Sequence, residues 1–142
     1  MKYLLDTNIL SEFRRPLPAE SVMAWLLAAD EDSLFVSSVT FGEIRQGVAQ
    51  LPAGRRRQEL EAWLHDDLPA RFDGRILDVT RIVAEASGEM SAEAKRQGVG
   101  FHVVDAYLAA TALVHEMTLV TRNTKDFKAF NLDLLDPWQG AG

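Results

Sequence analysis

The chain has 142 residues, with 21 Asp and Glu against 15 Lys and Arg for a formal net charge of −6, and 47% of its residues are hydrophobic. That length and mix suit one folded unit with a real core and exclude wholesale disorder. There is no cysteine, which excludes disulfides, zinc–thiolate centres and thiol nucleophiles and suits a reducing compartment.

The chain opens "MKYLLDTN". Residues 2–5 read as a short buried strand that stops on a carboxylate, Asp6. Its apolar run is too short for a signal peptide. The longest later apolar stretch, "AYLAATALV", is too short to span a bilayer. A cytoplasmic protein with no membrane segment is expected.

"PAESVMAWLLAAD" reads as a helix and "SLFVSS" as a strand. Ser38 is placed to cap the helix "VTFGEIRQGVAQL". "GRRRQELEAWLHDDL" puts Leu60, Trp63, Leu64 and Leu68 on one helical face. "RILDV" reads as a strand. Thr80 is placed to cap a helix that runs to about Gln97 and stops at Gly98. "VVDAYLAATALVHE" is a helix apolar nearly all round, hence central. "TLVT" and "LDLLD" complete the strands. Strands alternating with helices predict an α/β fold, a mostly parallel sheet flanked by helices on both faces. Its functional crevice is expected beyond the carboxyl ends of the strands. One domain over 1–142 is expected.

Three acids stand out against that frame. Asp6 ends the first strand. Glu43 lies in a helix interrupted by Gly42 and Gly47, each costing roughly 1 kcal/mol against Ala, a cost tolerated where something must approach closely. Asp105 is the acid near the start of the central helix, where capping would also explain it. Thr121, Arg122, Asn123 and Asp126 follow the fourth strand, and Asn123 with Asp126 reads as a capping box. Carboxylates sharing one crevice repel and take up protons unless a cation binds. An all-oxygen set selects Mg2+ or Mn2+ over zinc. Two such ions can clamp the attacking and leaving oxygens of a phosphodiester. The acidic net charge argues against a nucleic-acid binder. The 11 arginines nevertheless cluster at Arg14–Arg15 and Arg55–Arg56–Arg57. His102 reads as a surface residue.

"LLDTNILSE", "SSVTFGEIRQGV", "VVDAYLAATA" and "TLVTRNTKDF", in this order and spacing, resemble the signature segments of PIN-domain ribonucleases. The resemblance is to the VapC-type toxins and their FitB-like and plasmid-stability branch. It implies a PIN-like domain with metal-dependent endoribonuclease activity, using Mg2+ or Mn2+. The family's acids fall on Asp6, Glu43 and Asp105, as metal ligands and catalytic residues. Its fourth position falls on Asn123, where relatives often have Asp. Asp126, Thr7 and Thr121 are expected in support, and Arg14, Arg15 and Arg122 toward RNA. The resemblance further implies a homodimer and a cognate antitoxin. That antitoxin would be a small DNA-binding protein whose helical C-terminal segment fills a groove beside the site. The helix carrying Val22, Met23, Trp25, Leu26 and Leu27 is apolar on more than one side and could be shared with such a partner.

Two other readings are open from the residues. Haloacid-dehalogenase-like phosphatases also place an acid after the first strand, but they need Asp-x-Asp where this chain has Asp6-Thr7-Asn8. A catalytically weak nucleic-acid or partner-binding module is the other, favoured by Asn123 alone.

Overall fold

The computed structural model describes residues 1–139. Five parallel strands form one sheet: β1 (Tyr3–Leu5), β2 (Leu34–Ser37), β3 (Ile76–Leu77), β4 (Thr118–Val120) and β5 (Leu134–Leu135), in the order β3-β2-β1-β4-β5. The order reverses at β1, so the switch point lies between β1 and β4. In open parallel sheets the crevice beyond the strand ends at that point is where ligands bind.

Strand periodicity divides the core. Leu5, Val120, Leu34 and Val36 face one apolar layer, which α2 (Glu20–Ala28) and α3 (Ser38–Ala49) help to close through Val22, Leu26, Ile44 and Val48. Leu4 and Leu119 face the other, closed by α7 (Val103–Val114), whose Ala106, Ala109 and Ala112 are buried. Successive strand side chains point to opposite faces, so both layers are filled from the same short strands. The helix α6 (Arg81–Arg96) packs on α7. Thr80 Oγ1 caps it by accepting from Val83 N–H at 3.2 Å, as expected. Gly98, at φ 72°, ends it with Val99 N–H donating to Ala94 O, the left-handed stop that glycine allows.

Four details depart from the sequence reading. First, a six-residue helix, α1 (Thr7–Glu12), follows β1 directly. Thr, Asn and Ile are weak helix formers, so its stability comes from burying Ile9 and Leu10. Second, Ser37, not Ser38, caps α3: its Oγ accepts from Val39 N–H at 3.1 Å. Ser37 has the extended backbone of a cap, whereas Ser38 is already helical. Third, the helix read over 54–68 is α4 (Arg55–Ala62), a wider π turn (Trp63–Asp67) and α5 (Leu68–Arg71). Leu64 and Leu68 still face the core and Trp63 packs beside them. Fourth, Val22 and Leu26 of α2 are buried in the core while Leu27 is 84% exposed. Leu26 is therefore core and not available to a partner.

Among the described residues no helix is long and apolar enough to cross a membrane.

Candidate active site

Asp6 sits at the switch point. Its backbone N–H donates to Val120 O, which ties the end of β1 to β4. Its Oδ1 accepts from Thr7 N–H at 2.7 Å and so caps α1. Its Oδ2 accepts from the buried Thr121 hydroxyl at 2.8 Å, with Asn8 Nδ2 at 3.4 Å. Oδ1 is thus oriented by a backbone N–H and Oδ2 by side chains, all from residues just after two adjacent strands. Glu43 is brought in by α3, and its Oε1 accepts from the Thr7 hydroxyl at 2.7 Å. Asp105 enters from the first turn of α7.

These side chains line one cavity of about 650 Å3. Asp6, Thr7, Glu43, Asp105, Arg122, Asn123 and Asp126 all border it, as does the exposed His102. Thr121 lies buried beneath. Arg14 and Arg15 border a second cavity, of about 410 Å3, which shares Thr7 and Glu43 with the first. Arg55 and Arg57 instead form helix ion pairs with Glu59 and Glu61, leaving Arg56 to line that second cavity.

The capping-box reading of Asn123 and Asp126 does not hold. The Asn123 side chain makes no capping bond; its carbonyl accepts from Asp126 N–H at 3.0 Å, and its own N–H donates to Thr121 Oγ1 at 3.1 Å. The Thr121 hydroxyl organises this turn, so Asp126 is not spent on a cap and borders the cavity. The glycine reading also shifts. A Cβ at Gly42 or Gly47 would meet nothing within 4 Å, so neither glycine serves close packing within the chain.

Electrostatics mark the cavity as short of positive charge. No ion pair among the described residues involves Asp6, Glu43, Asp105 or Asp126. Burial raises the Asp6 pKa against the hydrogen bonds from Thr121 and Thr7, with the Asp126 charge adding to the rise. Burial likewise raises Glu43, opposed by the Thr7 hydroxyl and reinforced by Asp6. Asp105 is pushed up to about 6, first by burial, then by the charges of Asp6 and Asp126, with His102 pulling the other way. Such a cluster favours either protons or a cation.

Among the described residues no three carboxylate or imidazole groups converge closely enough to enclose an ion unaided.

Sequence reasoning missed Asn8, Glu12 and Trp138. Asn8 links the two strand ends: its Nδ2 donates to Thr121 Oγ1 at 3.3 Å and its Oδ1 accepts from Arg122 N–H at 3.3 Å. An amide two residues after a strand-ending acid was the available signal. Glu12, 3% exposed, accepts from Ala19 N–H at 2.7 Å and pairs with Arg15 at 3.5 Å, fixing the loop that carries Arg14 and Arg15. It closes the quoted segment "LLDTNILSE", but its role in fixing the loop is not legible there.

A sequence profile of the PIN domain matches residues 3–131. The chain is 38% identical over 135 residues to toxin FitB of Neisseria gonorrhoeae, covering 95% of this chain and 97% of that one. It is 35% identical over 138 residues to the VapC ribonuclease Y4jK of Sinorhizobium fredii, covering 97% and 99%. In structure it is similar to FitAcB from Neisseria gonorrhoeae, with a TM-score of 0.89 and 38% identity over 96% of this chain and 98% of that one. With the parallel sheet and the acid-lined cavity at its switch point, these similarities show that the chain belongs to the PIN-domain family, in its VapC-type, FitB-like branch.

Proposed function

We propose that this protein is the ribonuclease toxin of a toxin–antitoxin pair, one PIN domain over 1–142 acting in the cytoplasm. The observation that carries it is that Asp6, Glu43, Asp105 and Asp126 line one cavity and that none of them is in an ion pair among the described residues. Relatives named as ribonuclease and toxin, and a solved FitAcB complex, support it.

Asp6 and Asp105, assisted by Glu43, would hold a divalent cation, Mg2+ or Mn2+. When bound, it would supply an activated water and neutralise charge on the leaving oxygen. The chain's own residues do the positioning. Thr121 and Thr7 fix the Asp6 and Glu43 carboxylates, so that they need no reorganisation when an ion arrives. Arg122 offers positive charge at the rim of the same cavity, and Arg14 and Arg15 offer it on the neighbouring flank. These arginines steer the RNA phosphates toward an otherwise acidic protein. Asn123 contributes a neutral amide oxygen, and Asp126 supplies the charge missing at that position.

The antitoxin's helical segment occupies the cavity walled by Ile44, Val48, Leu60 and Trp63, beside Glu43. An apolar helix face fits such a groove. The exposed Ile82, Val103 and Leu113 suit the surface of a homodimer.

The test is cleavage of single-stranded RNA by purified, antitoxin-free protein with Mg2+ or Mn2+. Chelator is expected to stop it. Asp6→Asn and Asp105→Asn are expected to remain folded and inactive. Full activity in either variant rejects the assignment.

A further inference from the structure

Arg122 and Trp138 stand at the carboxyl ends of neighbouring strands. Arg122 follows Thr121 just beyond β4, and its N–H is held by Asn8. Trp138 lies in the short turn Pro137–Gln139 after β5, with its N–H donating to Asp136 Oδ1 at 2.9 Å. β4 and β5 pair in parallel, Val120 beside Leu135. The two side chains therefore meet on a fixed frame, and the Arg122 guanidinium lies over the indole at 5.3 Å from its centroid. No ion pair among the described residues involves Arg122.

Two cavities meet at this pair. One is the carboxylate cavity; the other, of about 500 Å3, adds Lys125 and Gln139 and shares Arg122, Asn123 and Trp138 with the first. On the opposite flank Arg14 covers Trp63 in a similar way at 5.7 Å. That cavity has the aliphatic wall of Ile44, Val48 and Leu60, whereas the one beyond Trp138 has none. It offers two cations and a π surface, with its one carboxylate, Asp136, engaged by the Trp138 N–H and the Gln139 amide, a combination that suits a nucleotide and not an apolar helix. Unpaired bases stack on aromatic rings and on guanidinium planes, and cations hold their phosphates.

We propose that Arg122, Trp138 and Lys125 form a nucleotide subsite adjoining the carboxylates, in which an unpaired base of the RNA stacks on the guanidinium–indole pair. This rests on the ribonuclease reading and deepens it. It makes the enzyme selective for single-stranded RNA, because a base stacked there cannot stay in a duplex.

The test uses full-length Asp6→Asn protein, which binds without cutting, and ten-nucleotide RNAs: oligouridylate, oligoadenylate, a fully abasic strand and a duplex. With Trp25→Phe and Trp63→Phe added, Trp138 is the sole tryptophan. Its fluorescence is expected to be quenched by the single strands and not by the abasic strand. Trp138→Ala is expected to weaken single-strand binding by about 10-fold, within the range for losing one stacking partner. Trp138→Phe is expected to stay within about 3-fold, and Arg122→Gln to weaken binding several-fold. Should Trp138→Ala not fold, the quenching of the unaltered ring decides. Single-strand binding with unmoved Trp138 fluorescence, or equal affinity for duplex or abasic strand, overturns the subsite and leaves the ribonuclease reading standing. No binding of any RNA overturns both.

Discussion

The Thr121 hydroxyl donates to Asp6 Oδ2 at 2.8 Å across a sequence separation of 115 residues. It joins the two strands flanking the switch point at the atom where the chemistry is proposed, and the Thr121 Oγ1 itself accepts from Asn123 N–H. Thr121→Val keeps the shape and removes these bonds. Loss of an orienting partner of a metal ligand costs roughly 10- to 100-fold in metal affinity or activity. Cleavage by Thr121→Val is expected to fall by about that factor, with the half-maximal metal concentration raised. Unchanged kinetics and metal dependence would reduce the hydroxyl to a structural role.

Asp105 gives a pH dependence with a definite sign. Its folded carboxyl titrates near 6, against 3.8 for the ordinary side chain. The folded state therefore binds the extra proton, and this contribution is full below the ordinary value and lost as pH rises through 6. Metal-free protein is expected to be more stable at pH 5 than at pH 7 through this group. Asp105 is only half-buried, so screening reduces the effect to about 1 kcal/mol, or roughly 3 °C in Tm. Asp105→Asn is expected to melt higher at pH 7 without metal and to flatten the pH profile. Metal competes with the same proton, so metal affinity is expected to drop as pH falls below 6. Melts with and without Mg2+ across pH 5–7 check both expectations.

The fourth site position turns on Asn123 and Asp126. Because Asp126 is not engaged in capping, Asp126→Ala is expected to leave stability within about 0.5 kcal/mol of the parent, as at other exposed positions. It is expected to raise the metal concentration needed for half-maximal cleavage about 10-fold. Asn123→Asp adds a charge at the same cavity and is expected to lower that concentration. A large drop in Tm for Asp126→Ala with unchanged metal dependence would restore a structural role.

What the sequence made legible follows from periodicity and local chemistry. The strand–helix alternation and the buried run around Ala109 define the parallel sheet and its central helix. The acids at Asp6 and Asp105 stand at positions where local rules leave them conspicuous. The α1 helix was hidden because its residues are poor helix formers held by tertiary burial of Ile9 and Leu10. The "SS" pair left the cap ambiguous, since only backbone angles separate Ser37 from Ser38. Asn123 and Asp126 misled because their spacing fits a local cap, while the competing hydroxyl of Thr121 becomes decisive only in three dimensions. Trp138 stands in a "DPW" segment that shares the family resemblance, but its role beside Arg122 was not legible, since that comes from pairing β5 with β4.

The glycines of α3 separate the groove proposed for the antitoxin from the rest of that helix. Gly47 lines the cavity beside Glu43, while Gly42 lines a different depression with Arg45 and His65. Both are helical and have open space where a Cβ would stand. Replacing either by alanine is expected to stabilise the protein by about 0.4–1 kcal/mol, through the unfolded chain's lost freedom. Their effects on the partner are expected to differ. Gly47→Leu projects a branched side chain into the groove without disturbing the core. It is expected to weaken antitoxin binding at least 10-fold while keeping Tm at or above the parent value. Gly42→Leu serves as the control, with antitoxin affinity expected within about 2-fold. Leu26→Glu buries a charge in the core and is expected to unfold the protein, so it cannot report on a partner. Calorimetric titration of each folded variant with the antitoxin, beside thermal melts, gives the answer. Normal antitoxin affinity in Gly47→Leu would move the partner's helix off this groove.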